Sequence, residues 1–168
     1  IGAMSMGRPS ALLGTGRPFY HFRSKQELLK EAILDGLAAG QARISAASAG
    51  IADPVQRLRV MVRTYLATVL DVNCTSPMLL SETRSLDVDE RAEITAAFDS
   101  YQAPWQATLE ELAACGRIAS AAAPLRLLLF GMLNWSGYWY RPDGPLTVDQ
   151  LADSAVDLVL GHPGTGVT

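Results

Sequence analysis

The sequence predicts an all-α fold, a bundle of about six helices lying beyond residue 24. Three observations point there: apolar residues recur at intervals of three and four, helix-capping pairs punctuate the chain, and no stretch alternates as a strand does.

Each element carries its own signal. Ser24 and Glu27 form a capping box, in which the serine oxygen accepts from the Glu27 amide and the carboxylate reaches back, so a first helix starts there. Leu28, Leu29, Ala32, Ile33, Leu37 and Ile44 carry it to a loose Ser-Ala-Gly stretch ending at Gly50. Asp53 and Pro54 supply an N-cap and an N1 proline for a second helix. Its face is Leu58, Met61, Val62, Tyr65, Leu66 and Val69, and it should end near Asn73. Ser76-Pro77 opens a short helix through Met78, Leu79, Glu82 and Thr83. Asp87 and Glu90 then cap a long amphipathic segment with the face Ile94, Phe98, Tyr101, Trp105, Leu109 and Leu112, closed by Gly116. Pro104 lies inside that run and predicts a kink or a break. Pro124 opens a helix that is apolar nearly all round from Leu125 to Trp139. Thr147 and Gln150 cap the last one, which stops at Gly161.

With 168 residues, 49% of them apolar and 18% charged, the chain can bury a core without disulfides or metals. Cys74 and Cys115 have neither C-x-x-C spacing nor a histidine pair nearby, which argues against a disulfide framework and a zinc site, and no cofactor is expected. Residues 1–6 show no charged and apolar secretory pattern. The most apolar stretch, Ala119 to Tyr140, contains Arg126, Gly131, Asn134 and Gly137, a poor membrane span, so the expected location is the cytoplasm. Charge is uneven: residues 1–30 carry +4 and the remainder −7, a basic end on an acidic body that suits an anionic partner.

The run Phe19-Tyr20-His21-Phe22-Arg23-Ser24-Lys25-Gln26-Glu27-Leu28-Leu29, preceded by Gly14-Thr15-Gly16-Arg17, resembles the end of the helix-turn-helix and the start of the fourth helix in TetR-family transcriptional repressors. The resemblance implies double-stranded operator DNA as a partner. It places Thr15 and Arg17 at the recognition helix, Tyr20 and His21 against phosphates, Lys25 against the backbone and Phe22 in the small domain's core. Hydroxyl, phenol, imidazole and ammonium groups all donate to phosphate oxygens, which fix register without reading sequence. TetR-type domains carry two further helices before the recognition helix. Here Met6-Gly7-Arg8-Pro9-Ser10 leads straight into Ala11-Leu12-Leu13-Gly14, so residues 1–23 are expected to be a remnant of that domain and residues 24–168 a ligand-binding and dimerisation domain. Breaks in the ordered chain are expected near Ser10 to Ala11 and Pro18 to Phe19.

The stretch Gly131-Met132-Leu133-Asn134-Trp135-Ser136-Gly137-Tyr138-Trp139-Tyr140-Arg141-Pro142-Asp143-Gly144-Pro145-Leu146 is similar to one in TetR regulators of fatty-acid and steroid breakdown. That likeness implies an acyl-CoA thioester as effector. Independently of it, Met61, Tyr65, Met78, Leu79, Phe98, Tyr101, Trp105 and Trp135 come from different helices and either fill a core or line an apolar pocket. Glu82 beside them can orient a ligand's polar group or stay solvated.

The helix from Pro124 is apolar on more faces than one chain can cover, which predicts a homodimer built from the last two helices. The residues expected at that interface are Leu125, Leu129, Phe130, Leu133, Tyr138, Val156 and Leu160. An enzyme finds little support: His21 and His162 are the only imidazoles, and no nucleophile elbow, zinc-protease motif or phosphate-binding glycine loop is present. Two alternatives accompany the acyl-CoA reading, a sensor of aromatic drugs and a helical lipid-binding protein that does not bind DNA.

Overall fold

The structure is a computed structural model that describes residues 24–71 and 86–161. Among the described residues there are five helices and no strand. They are α1 (Lys25–Ser48), α2 (Pro54–Val69), α3 (Val88–Ala114), α4 (Ala123–Trp139) and α5 (Val148–Val159). The short helix expected from Ser76 and the whole of residues 1–23, with both expected chain breaks, lie outside the described residues.

The helix ends follow the local chemistry. Ser24 Oγ accepts from the Glu27 amide at 3.0 Å, and Asp53 accepts from the amides of Val55 and Gln56 ahead of a first-turn proline. Both halves of the capping box are formed at Asp87/Glu90 and at Thr147/Gln150. Helix α3 ends on Gly116 at a φ of 71°, with the Gly116 amide on Ala113 O at 3.0 Å and the Arg117 amide on Leu112 O at 2.8 Å. That pair of bonds is a Schellman closure, and its left-handed residue favours glycine.

The expected break at Pro104 does not occur: α3 runs through it without interruption. Trp105, Thr108, Leu109 and Leu112, each at most 1% exposed, hold the following turns in the core, and this packing outweighs the missing amide. The Thr108 hydroxyl donates to Pro104 O at 3.0 Å across the same turn.

Helix α2 is the centre of the bundle and packs against all four others, while α1 also lies along α3. Its inward face, Leu58, Met61, Val62 and Leu66, is at most 1% exposed. A ladder of ion pairs fixes the antiparallel α5 on its outer side: Arg59 reaches Asp153 at 2.6 Å and Asp157 at 2.9 Å, and Arg63 reaches Asp149 at 2.9 Å. Arg57 ties the start of α2 to the end of α3 through Glu111 at 2.6 Å, and also donates to Ile51 O and Ala52 O. No described helix is long and apolar enough to cross a membrane.

Candidate ligand-binding site

Four aromatic rings from three helices meet in the middle of the bundle. Tyr65 of α2 stands edge-on to Trp105 of α3 with centroids 5.8 Å apart, and to Phe130 of α4 at 5.3 Å. Phe130 in turn lies 5.0 Å from Trp105 and 6.2 Å from Tyr101. Such edge-to-face pairs each add about 0.5–1.5 kcal/mol beyond the area they bury. Met61 lines the same region, with its sulfur 3.6 Å from Thr108 Oγ1. Met61, Tyr101 and Trp105 are buried and Tyr65 is half-buried.

Among the described residues, polar groups in this cluster are few. The Tyr65 hydroxyl donates to Asn134 Oδ1 at 2.6 Å. The indole N–H of Trp105 is buried and has no hydrogen-bond partner. At the same α3–α4 seam, Arg126 donates through Nη1 to Gln106 Oε1 at 2.9 Å, and its buried Nε has no partner. Burial, and then the electrostatic influence of the neighbouring Tyr65 phenol, push the Tyr101 phenol well above the ordinary tyrosine range.

The Tyr101 shift makes stability depend on alkaline pH. The unfolded chain releases this proton near pH 10 whereas the folded chain keeps it, so rising pH favours unfolding. By pH 11 the loss should reach about 1.4 kcal/mol. Urea melts at pH 9 and pH 11 are expected to show this extra loss in the native chain and its absence in Tyr101→Phe.

The sequence expectations divide. Met61, Tyr65, Tyr101 and Trp105 come together as lining candidates. Phe98 does not join them; it packs on a second cluster with Ile33, Leu86 and Ile94. Trp135 is 63% exposed and stacks on Tyr138 on the outside of α4, so it leaves the lining set. Met78, Leu79 and Glu82 lie outside the described residues, as do Thr15, Arg17, Tyr20 and His21. Lys25 is exposed at the first position of α1.

Of the residues expected at a dimer interface, Leu129, Phe130, Leu133, Val156 and Leu160 are buried in the chain's own core and have little or no surface to offer a partner, whereas Leu125 is half-buried and keeps some. Tyr138 is exposed. Two residues of the site escape the sequence reading. Phe130 is expected on the wrong face of its helix, because the apolar pattern there marks none. Asn134, a lone amide in that helix one turn beyond Phe130, is the available signal of an inward polar group.

Helix α1 approaches this cluster closely at Gly40. A Cβ built on Gly40 would lie 3.2 Å from Tyr101 Cε2, so the glycine is what lets the phenol ring pack against the α1 backbone. The cluster is thereby in direct contact with the helix that follows the N-terminal segment.

A helical bundle around an enclosed aromatic cluster, with its first helix continuing from a basic segment, has the build of a ligand-binding regulatory domain. Residues 51–162 match the family model described as the tetracyclin repressor-like C-terminal domain, and the chain belongs to that family of transcriptional regulators rather than to an enzyme family. Solved structures agree. The structure of AibR in complex with isovaleryl coenzyme A and operator DNA is 25% identical, with a TM-score of 0.73 over 86% of this chain and 80% of that one. The TetR family transcriptional regulator PfmR from Thermus thermophilus is 28% identical, with a TM-score of 0.71 over 86% and 79%. The superantigen pfit is 29% identical, with a TM-score of 0.70 over 84% and 78%. Among curated proteins none matches the chain.

Proposed function

We propose that the chain is the effector-binding and dimerising part of a repressor that leaves its operator DNA when a small apolar acyl compound, presented as its CoA thioester, binds between α1, α2, α3 and α4. The observation that carries this reading is the aromatic cluster of Tyr65, Tyr101, Trp105 and Phe130, enclosed in the bundle and abutting α1 at Gly40. A ligand changes DNA affinity only by preferring one arrangement of the DNA-binding heads. An acyl chain parting these rings displaces Tyr101 against Gly40 and tilts α1, the helix that leads to Thr15, Arg17, Tyr20, His21 and Lys25. Those five side chains are proposed to hold the DNA phosphates and the recognition helix. AibR, whose structure holds isovaleryl coenzyme A together with operator DNA, lends support by its likeness.

The partner is proposed to be a second copy of the chain, seated on the outer faces of α4 and α5. Leu128, Trp135 and Tyr138 are 71%, 63% and 69% exposed and recur at helical spacing along α4, with Leu158 of α5 at 67%. Gly131 lies in the same stripe, with nothing within 4 Å of where its Cβ would stand, so a partner helix can approach closely there.

A thermal-shift panel tests the effector class. Acyl-CoAs should raise the melting temperature of the full-length protein and release its own promoter DNA, with free fatty acids and aromatic drugs weaker. Release by aromatic drugs alone, with no acyl-CoA effect, would assign it to drug sensing.

A further inference from the structure

The seam between α3 and α4 holds a buried donor with no acceptor. Trp105 is 0% exposed, and its indole N–H makes no hydrogen bond. Buried donors are paired in the great majority of cases, and an orphan costs free energy that a suitably placed oxygen would recover. The Tyr65 hydroxyl donates to Asn134 at 2.6 Å and the Thr108 hydroxyl to Pro104 O at 3.0 Å, and although both oxygens keep lone pairs, neither accepts from the indole. A Phe side chain would serve if the position needed only apolar filling. Among the described residues no acceptor is placed for this donor.

We infer that Trp105 is the polar anchor of the effector, its Nε1–H donating to the neutral carbonyl oxygen of an acyl ester, thioester or amide whose apolar chain lies among Met61, Tyr65 and Phe130. The inference rests on the reading of this cluster as the effector site. Neutrality follows from the surroundings: the rings facing Trp105 are Tyr65 and Phe130, and the nearby Tyr101 phenol resists ionisation because it is buried. A carboxylate set there would lose its hydration without gaining a counter-ion from these rings. The cation of this seam, Arg126, is turned onto Gln106 Oε1 at 2.9 Å, so an anionic ligand would be drawn to it instead of to the indole.

The probes are methyl octanoate, octanoate and octanoyl-CoA, and the readout is the indole N–H resonances of ¹⁵N-tryptophan protein. The Trp105 resonance is the one that persists in both Trp135→Phe and Trp139→Phe, each of which removes another of the three indole signals. Methyl octanoate should move the Trp105 resonance downfield and bind about tenfold more tightly to the native chain than to Trp105→Phe, which keeps a ring and loses the donor. The resonance in the native chain decides the matter even if Trp105→Phe folds poorly. Methyl octanoate binding with that resonance unmoved, or failing to bind at all, would overturn the anchor. So would octanoate binding more tightly than its ester, because the charge would then sit on Arg126. Octanoyl-CoA that releases DNA without moving the indole overturns the anchor and leaves the effector reading standing. A shift with the ester, while octanoyl-CoA neither binds nor releases DNA, supports the anchor and removes the thioester reading alone.

Discussion

Leu128→Glu combined with Trp135→Glu is expected to turn the protein into a monomer at micromolar concentration and to weaken operator binding by at least about a hundredfold. Both side chains are already in water in the single chain, at 71% and 63% exposure, so the substitutions leave the protomer core untouched. In a dimer they would each put a carboxylate into an apolar face beside Tyr138 and Leu158, where a buried unpaired charge is costly. Two half-sites bound by separate chains lose the advantage of linkage, and this is the source of the large DNA effect. Light scattering and far-UV circular dichroism check it together: helicity retained with the mass halved is the expected pair. A dimer that persists in the double variant shows that the proposed face is not the interface. Phe130→Arg would be the wrong probe, because Phe130 is 9% exposed and sits among the aromatic rings of the core.

The second large effect is on stability. Leu58→Ala removes a fully buried side chain from α2, the helix that every other described helix packs against, and should cost about 3–4 kcal/mol. For a chain of this size that is a fall in melting temperature of about 10 °C. Val88→Ala, at a position 71% exposed, should change stability by less than about 0.5 kcal/mol. Equal losses in the two variants would show that α2 is not the centre of the core.

Most of the architecture is legible in local chemistry because its signals are local. Asp87 with Glu90 and Thr147 with Gln150 announce helix starts through bonds spanning three residues, and Gly116 announces an end through its left-handed backbone. Pro104 shows where local rules yield: a proline penalty of about 3 kcal/mol is smaller than what Trp105, Leu109 and Leu112 gain by burial on an unbroken helix. The site is half legible. Met61, Tyr65, Tyr101 and Trp105 stand on amphipathic helices, whose polar faces point their apolar faces inward. Trp135 and Phe130 stand on a helix with apolar residues all round, so nothing in its pattern separates the face against the core from the face in water, and the sequence reading exchanges the two. Asn134 is the one residue that could fix the orientation, through the hydroxyl of Tyr65.

The proposed opposition of effector binding and DNA binding through α1 is measured directly by linkage. Fluorescence anisotropy gives the affinity of the full-length protein for labelled DNA from its own promoter, with and without octanoyl-CoA. Calorimetry gives the affinity for octanoyl-CoA, with and without that DNA. Octanoyl-CoA should lower DNA affinity by about 5- to 150-fold, and DNA should lower octanoyl-CoA affinity by the same factor. DNA affinity that is unchanged at saturating octanoyl-CoA would contradict it.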